Sequence, residues 1–254
     1  MLIDTHSHLN DEQFDNDRQE VILRAKESGV SYILNIGYDR KTILSTIELI
    51  NKYDFIYGAI GWHPNHAHEM EEKDLLWIED LSKHKKILAI GEIGLDYYWD
   101  FAPKDVQQIV FKEQIQMAKK LQMPIIIHNR DAHQDIYRIL KEEGTEQIGG
   151  IMHSFSGSFE MAMECINLGF YISFSGPVTF KNAKKPKEVA SKIPLDRLLI
   201  ETDSPYLTPE PYRGKRNESS YVKYIAEKIA ELRNMELAEI KRITSQNALR
   251  ILKF

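Results

Sequence analysis

The chain is predicted to fold as a single-domain α/β protein of the (β/α)8, or TIM-barrel, class spanning residues 1–254. Three observations predict it. Short β-branched runs alternate with longer segments of helical spacing from end to end. Roughly eight such strand-then-helix units fill a length suited to one barrel. Several runs are almost continuously apolar, as parallel strands covered on both faces are. A doubly wound open sheet alternates in the same way. Against it, no Gly-x-Gly-x-x-Gly follows the first run and no Walker-type loop occurs. No linker, repeat or low-complexity stretch divides the chain.

Taken in order, the strands are read at residues 2–5, 32–36, 56–60, 87–91, 124–128, 150–153, 170–174 and 197–202. Ile87-Leu88-Ala89-Ile90 and Ile125-Ile126-Ile127 leave no polar face. Between strands, Val21, Ile22 and Ala25 mark a helix that Gly29 ends. Ile43, Ile47 and Ile50 mark the next. Val106, Val110, Met117 and Leu121 form a stripe after Pro103, a residue tolerated in a first helical turn. Val222, Ile225, Ala226 and Ile229 mark a late helix, followed by a last one from about residue 237 to 252. These stripes are core-facing surfaces and carry no functional reading.

Composition narrows the class. Hydrophobic content of 43% and charged content of 28% are those of an ordinary globular protein. No apolar run approaches the roughly 20 residues that span a bilayer, and no basic region followed by an apolar core opens the sequence. A cytoplasmic protein with no membrane contact is the expectation, with no obligate protein partner evident. The single cysteine, Cys165, excludes an internal disulfide framework and any cysteine-based zinc cluster; its apolar neighbours make it a packing residue. A net charge of −5 is not that of a protein that coats nucleic acid electrostatically. A strand end could still be bound through local cations and metal.

Chemistry-bearing residues collect where strands end. His6 and His8 follow the first strand, and side chains two apart on an extended chain point the same way. Glu92 closes the fourth, His128 the fifth, His153 the sixth and Asp203 the eighth. In a parallel barrel these ends share one mouth, where barrel active sites sit. A lone polar residue at a strand end is ordinarily a structural one; six of ligand type on one rim are not explained that way. Four imidazoles and two carboxylates exceed what one tetrahedral ion needs and suit two ions about 3.5–4 Å apart sharing a bridge. Glu92, between the others in strand order, is assigned that bridge. Nitrogen and oxygen donors fit Zn, Mn, Fe, Ni or Co, with Mg less natural beside four histidines.

The motifs Asp4-Thr5-His6-Ser7-His8-Leu9, Gly61-Trp62-His63-Pro64 and Gly91-Glu92-Ile93-Gly94-Leu95-Asp96-Tyr97 resemble those of the TatD family of metal-dependent deoxyribonucleases. His128-Asn129-Arg130-Asp131-Ala132, His153-Ser154-Phe155-Ser156-Gly157 and Glu201-Thr202-Asp203-Ser204-Pro205-Tyr206 agree, so the resemblance runs essentially the whole chain. It implies an amidohydrolase-type barrel with two divalent cations at its mouth. It implies one ion on His6, His8, Glu92 and Asp203, and the other on Glu92, His128 and His153. Many superfamily relatives bridge their metals with a carbamylated lysine after strand four; Glu92 stands there in this chain. The resemblance further implies a DNA substrate, exonuclease trimming from strand ends, and a link to DNA repair or degradation.

Around these ligands, Asp203 is expected to orient the attacking, metal-activated water and accept its proton. His63 either contacts a phosphate, transfers a proton to the leaving group, or is structural. Arg130 either clamps a phosphate bidentately or pairs with a neighbouring acid. Glu201, two before Asp203, supports the metal shell rather than ligating. Asp96, Tyr97, Tyr98 and Trp99 are placed on a loop, where the rings, Tyr97 among them, either stack on a splayed base or pack on one another. Basic runs at Lys181, Lys184, Lys185 and Lys187, and at Arg213, Lys215 and Arg216, are either solvated faces or a track for a phosphate backbone. His66, His68, His84 and His133 are read as surface or supporting residues. The competing activities are hydrolysis of a small ester, lactone or amide, because fold and metals do not fix a substrate, and metal-dependent binding without turnover.

Overall fold

Parallel neighbours in a sheet need a crossover connection between them, and helices supply it here. The computed structural model describes residues 1–254. Its strands are β1 (Leu2–Ser7), β2 (Val30–Gly37), β3 (Ile56–Ile60), β4 (Ile87–Asp96), β5 (Ile125–Arg130), β6 (Gly150–Met152), β7 (Phe170–Phe174) and β8 (Leu198–Ile200). Each pairs in parallel with the next in sequence order. The helices are α1 (Arg18–Glu27), α2 (Arg40–Lys52), α3 (Glu72–Leu81), α4 (Lys104–Leu121), α5 (His133–Glu142), α6 (Phe159–Asn167), α7 (Lys184–Lys192), α8 (Val222–Arg233) and α9 (Leu237–Leu252). The (β/α)8 barrel expected from the alternating pattern is the architecture observed. No helix is long and apolar enough to cross a membrane.

The sheet closes on itself just past the regular end of β8. His8 N–H donates to Ser204 O at 2.8 Å and Asp203 N–H to His6 O at 2.9 Å. Asp4 locks the same seam from within: its carboxylate accepts Thr202 N–H at 2.8 Å and the Thr202 hydroxyl at 2.6 Å. Asp4 is fully buried, and burial pushes its carboxyl up to about 7 in spite of those bonds. The predicted strand at 197–202 is therefore shorter in the structure. Glu201 N–H makes the last ladder bond, to Phe174 O, and Thr202 N–H goes to the Asp4 carboxylate instead, which ends the regular ladder.

Inside the barrel, Ile3, Leu34, Ala59, Ala89, Ile126, Ile151, Tyr171 and Leu199 belong to one buried cluster, with a residue from every strand. A larger cluster fills the layer between strands and helices. Side chains two apart share a face, so the inward row leads straight to the mouth: Ile126 to His128, Ile151 to His153, Leu199 to Glu201. On β1 and β4 the parity changes. The β1–β2 register shifts between Asp4 and Ser7, and the β4–β5 register between Ile90 and Ile93. An irregularity of this kind re-aims a side chain, and it turns His6 and Glu92 inward where plain alternation from Ile3 and Ala89 would turn them out.

Two further sequence expectations change. β4 runs on to Asp96 rather than stopping at residue 91, so Asp96 is a strand residue paired with Arg130, not a loop residue. Gly94 allows this close pairing, since a Cβ there would lie 2.0 Å from His128 O. On α4 the buried face is Gln107, Val110, Phe111, Gln114, Ile115, Met117 and Ala118, with Val106 and Leu121 only half-buried at its margin. Two glutamines replace aliphatic side chains in that face because each carries hydrogen bonds to a loop at the barrel mouth.

Candidate metal centre

All six predicted ligands meet at the carboxyl ends of the strands. His6 Nε2 and His8 Nε2 stand 3.2 Å apart. Asp203 Oδ1 lies 3.4 Å from His8 Nε2 and 3.7 Å from His6 Nε2. Glu92 Oε2 lies 3.4 Å from His6 Nε2 and 3.9 Å from His8 Nε2. The other oxygen, Oε1, faces the opposite group: 2.7 Å to His128 Nδ1, 3.4 Å to His153 Nε2 and 4.0 Å to His63 Nε2. One carboxylate thus divides its oxygens between two sets of imidazoles.

Donor atoms about 2.1 Å from a tetrahedral ion are about 3.4 Å from one another. The 3.4 Å separations of Glu92 Oε2 from His6 Nε2 and of Asp203 Oδ1 from His8 Nε2 match that figure; the 2.7 Å His128 contact is instead a hydrogen bond. His6–His8–Asp203 and His63–Glu92–His128 each bring ligand atoms within 4.8 Å of one another, as does His6–His153–Glu201. Nδ1 of His6 and of His8 is buried without a hydrogen-bond partner. Imidazoles packed this densely, His6 stacked on His153 at 3.6 Å between centroids, repel one another once protonated. A nitrogen and oxygen set of this kind fits divalent cations.

Electrostatics separates the histidines. Burial, with repulsion from His153, holds His6 below the ordinary imidazole range. Burial and the neighbouring His128 push His63 down to about 3. Burial opposes the charge of His153 also, but Glu201, Glu92 and Asp203 outweigh it and raise that ring to about 10. His128 is raised in the same way, with Asp96 and Glu92 overcoming burial. For Glu92 and Asp203 burial disfavours the anion, yet the surrounding imidazoles hold both carboxyls below their usual range.

Supporting residues fix ring orientation. His128 presents Nδ1 to Glu92 and Nε2 to Asp96 Oδ2, 3.0 Å away. His153 presents Nε2 to Glu92 and holds Nδ1 2.7 Å from Glu201 Oε1, off the line of a good hydrogen bond and so an ion-pair contact. Glu201 also accepts Ser154 N–H at 2.8 Å. His63 Nδ1 accepts Asn65 N–H at 3.1 Å, which puts the proton of the neutral ring on Nε2, toward the cavity. The two α4 glutamines, invisible as functional residues in the sequence, clamp the loops that carry these groups. Gln114 bonds both Trp62 N–H and Trp62 O, next to His63. Gln107 bonds Asp96 N–H and Asp96 O.

The remaining candidates divide. A cavity of about 710 Å³ opens over the site, and Arg130, Trp99 and His66 line it. Arg130 makes no ion pair; its guanidinium stacks 3.9 Å from the Tyr98 ring centroid. Tyr97, expected as a substrate contact, is turned away. Its hydroxyl donates to Asp135 at 2.8 Å and accepts from Gln108 at 2.7 Å, and its ring packs on the core. Trp99 takes the place by the cavity that Tyr97 was expected to fill. Of the basic residues, Arg216 pairs with Asp17 at 2.5 Å and Arg213 lies over Phe180, while Lys184 and Lys185 of α7 are exposed.

A family model described as TatD related DNase matches residues 3–253. The chain belongs to the TatD family. It is similar to the metal-dependent hydrolase YabD of Bacillus subtilis, 62% identical over 253 residues, covering 100% of this chain and 99% of that one. With the metal-dependent hydrolase YcfH of Escherichia coli it shares 38% identity over 256 residues, 98% of this chain and 95% of that one. The crystal structure of YJJV, a TatD homologue from Escherichia coli, matches at a TM-score of 0.94 and 29% identity, covering 100% of this chain and 98% of that one. Membership of the TatD family and the clustered donors make the chain a divalent-metal hydrolase.

Proposed function

We propose that this TatD-family chain, acting as one hydrolase domain over residues 1–254, cleaves phosphodiester bonds at the ends of DNA strands as an exonuclease. The observation that carries the reading is Glu92, with Oε2 toward His6 and His8 and Oε1 toward His128 and His153. His6, His8, Glu92 and Asp203 would hold one cation, and Glu92, His128 and His153 the other. Such a pair of cations supplies an acidified water near neutral pH and neutralises charge on the phosphoryl oxygens. The DNase description of the matching family supports DNA as the substrate. A cavity of about 710 Å³ has the size of a small-molecule cleft, which suits a strand end.

The protein's own groups divide the remaining work. Asp203, held ionised at neutral pH, orients the attacking water and accepts its proton. His63, neutral and with Nε2–H toward the cavity, donates a hydrogen bond to a phosphoryl oxygen. Its depressed basicity leaves no imidazolium near neutral pH for proton transfer to the leaving alkoxide. Arg130, free of any carboxylate partner, meets a phosphate through its guanidinium fork.

The test is product mapping on end-labelled single- and double-stranded DNA after stripping and reloading with manganese, zinc or magnesium, beside a panel of small esters, lactones and amides. Mononucleotides released progressively from one end are expected. Turnover confined to the small-molecule panel reassigns the substrate; tight metal with no turnover on any DNA defeats the nuclease reading.

A further inference from the structure

The aromatic side chains that the protein leaves largely exposed are Tyr98 (55%), Trp99 (45%), Phe101 (60%) and Tyr206 (45%), and Trp99 and Tyr206 line the metal-site cavity, with Tyr98 and Phe101 flanking Trp99 in sequence. Among the exposed aliphatic side chains, Leu23, Leu44, Leu76 and Ile109 lie in helices, while Leu207 joins Tyr206 on the cavity wall. Large rings kept in water contribute little to folding, and a patch of them marks a contact surface. This one is also built. Asp96 Oδ1 accepts the N–H of Tyr98 at 3.0 Å and of Trp99 at 3.1 Å. The buried Gln107 ties both ends of the loop together, through Asp96 N–H, Asp96 O and Ala102 O. Trp99 lies within 25° of parallel to Phe101, with centroids 5.7 Å apart, and edge-on to Tyr98. Arg130 lies over both neighbouring rings, 3.9 Å from the Tyr98 centroid and 5.6 Å from that of Trp99.

We propose that the loop over residues 97–102 is a stacking platform for an unpaired nucleobase, with Trp99 taking the base and Arg130 the adjoining phosphate. The proposal rests on the nuclease reading for its ligand class and deepens it by assigning a base subsite. A planar base offers a π-face whatever its identity, so such a platform binds without reading sequence. The loop's preformed hydrogen bonds mean that little ordering is left to be done on binding. The cation beside the rings supplies the charge that a net-negative protein needs at this point.

The experiment titrates the metal-loaded protein with a deoxynucleoside monophosphate and with deoxyribose 5-phosphate, which lacks only the base, reading heat and tryptophan fluorescence. The nucleotide is expected to bind roughly tenfold more tightly and to quench the exposed Trp99. Trp99→Ala should remove that preference and Trp99→Phe should retain most of it. Equal binding of both ligands by the unmodified protein overturns the platform, as does a base preference that survives Trp99→Ala. A Trp99→Ala protein that changes oligomeric mass but keeps its base preference assigns the rim to a protein contact and overturns it too. Cleavage of DNA without any base preference sinks the platform alone. Base preference without cleavage of any DNA supports the platform and sinks the nuclease reading.

Discussion

Asp96 Oδ2 lies 3.0 Å from His128 Nε2, the ring nitrogen that faces away from Glu92. A carboxylate in that position fixes the tautomer and raises the basicity of the nitrogen that meets a metal. Asp96→Asn keeps the acceptor for the Tyr98 and Trp99 N–H groups but loses the charge. The expected result is cation affinity weakened roughly 10- to 100-fold for one of two ions, measured by chelator competition. Two ions weakened equally, or neither, would separate Asp96 from the His128 side of the centre.

Glu92 divides its oxygens between two sets of imidazoles, and a carboxamide cannot replace it, because its nitrogen has no lone pair to offer an ion. Glu92→Gln should therefore lower the metal-to-protein ratio on elemental analysis and reduce turnover by at least about a hundredfold. A variant that retains two tightly held ions would remove the bridge from the mechanism.

His63 titrates near 3, far below the ordinary imidazole value of 6.5, because burial and His128 both disfavour its cation. It is neutral throughout the useful pH range and acts as a hydrogen-bond donor. His63→Ala should lower kcat about 100-fold without moving either limb of the pH profile between pH 5 and 9. His63→Gln, which still carries an N–H, should recover part of the loss. Disappearance of one limb in His63→Ala would instead make His63 the titrating acid or base.

Legibility in the sequence followed from which physical rule placed each residue. His128 and His153 sit two residues beyond inward-facing isoleucines, so strand periodicity alone brings them to the mouth. His6 and Glu92 reach it through register shifts that no spacing reveals; the sequence identified them by residue type and by their place after a strand. Gln107 and Gln114 are not legible as functional residues because a polar side chain inside an apolar helical stripe reads as the stripe's edge. Their value lies in distant loop carbonyls and amides that only the folded chain brings near. Among consecutive aromatic residues after Glu92, the pattern could not say which ring turns inward. The Asp96 bonds to the next two N–H groups, and Asp135 waiting for the Tyr97 hydroxyl, decide it.

Asp4 joins the first strand to the last, and its carboxyl titrates at about 7 in the folded protein against 3.8 in an unfolded chain. The folded state therefore holds a proton that the unfolded chain releases. The stability this contributes is fully present below about pH 4 and is lost as pH rises through 7, on the order of a few kcal/mol in all. Asp4→Asn keeps the Thr202 N–H bond through its carbonyl and can donate its amide to the Thr202 hydroxyl, so the seam survives without a titrating group. Thermal melts of the chelator-treated protein should show a midpoint falling by about 5 °C or more between pH 5 and 8, and a flatter profile for Asp4→Asn. Chelation matters because bound cations would impose their own pH dependence through the histidines. Parallel profiles for the two proteins would move the titration from Asp4 to the imidazole cluster, where the stability contributed by His153, its ring raised from 6.5 to about 10, declines from about pH 6.5 upward.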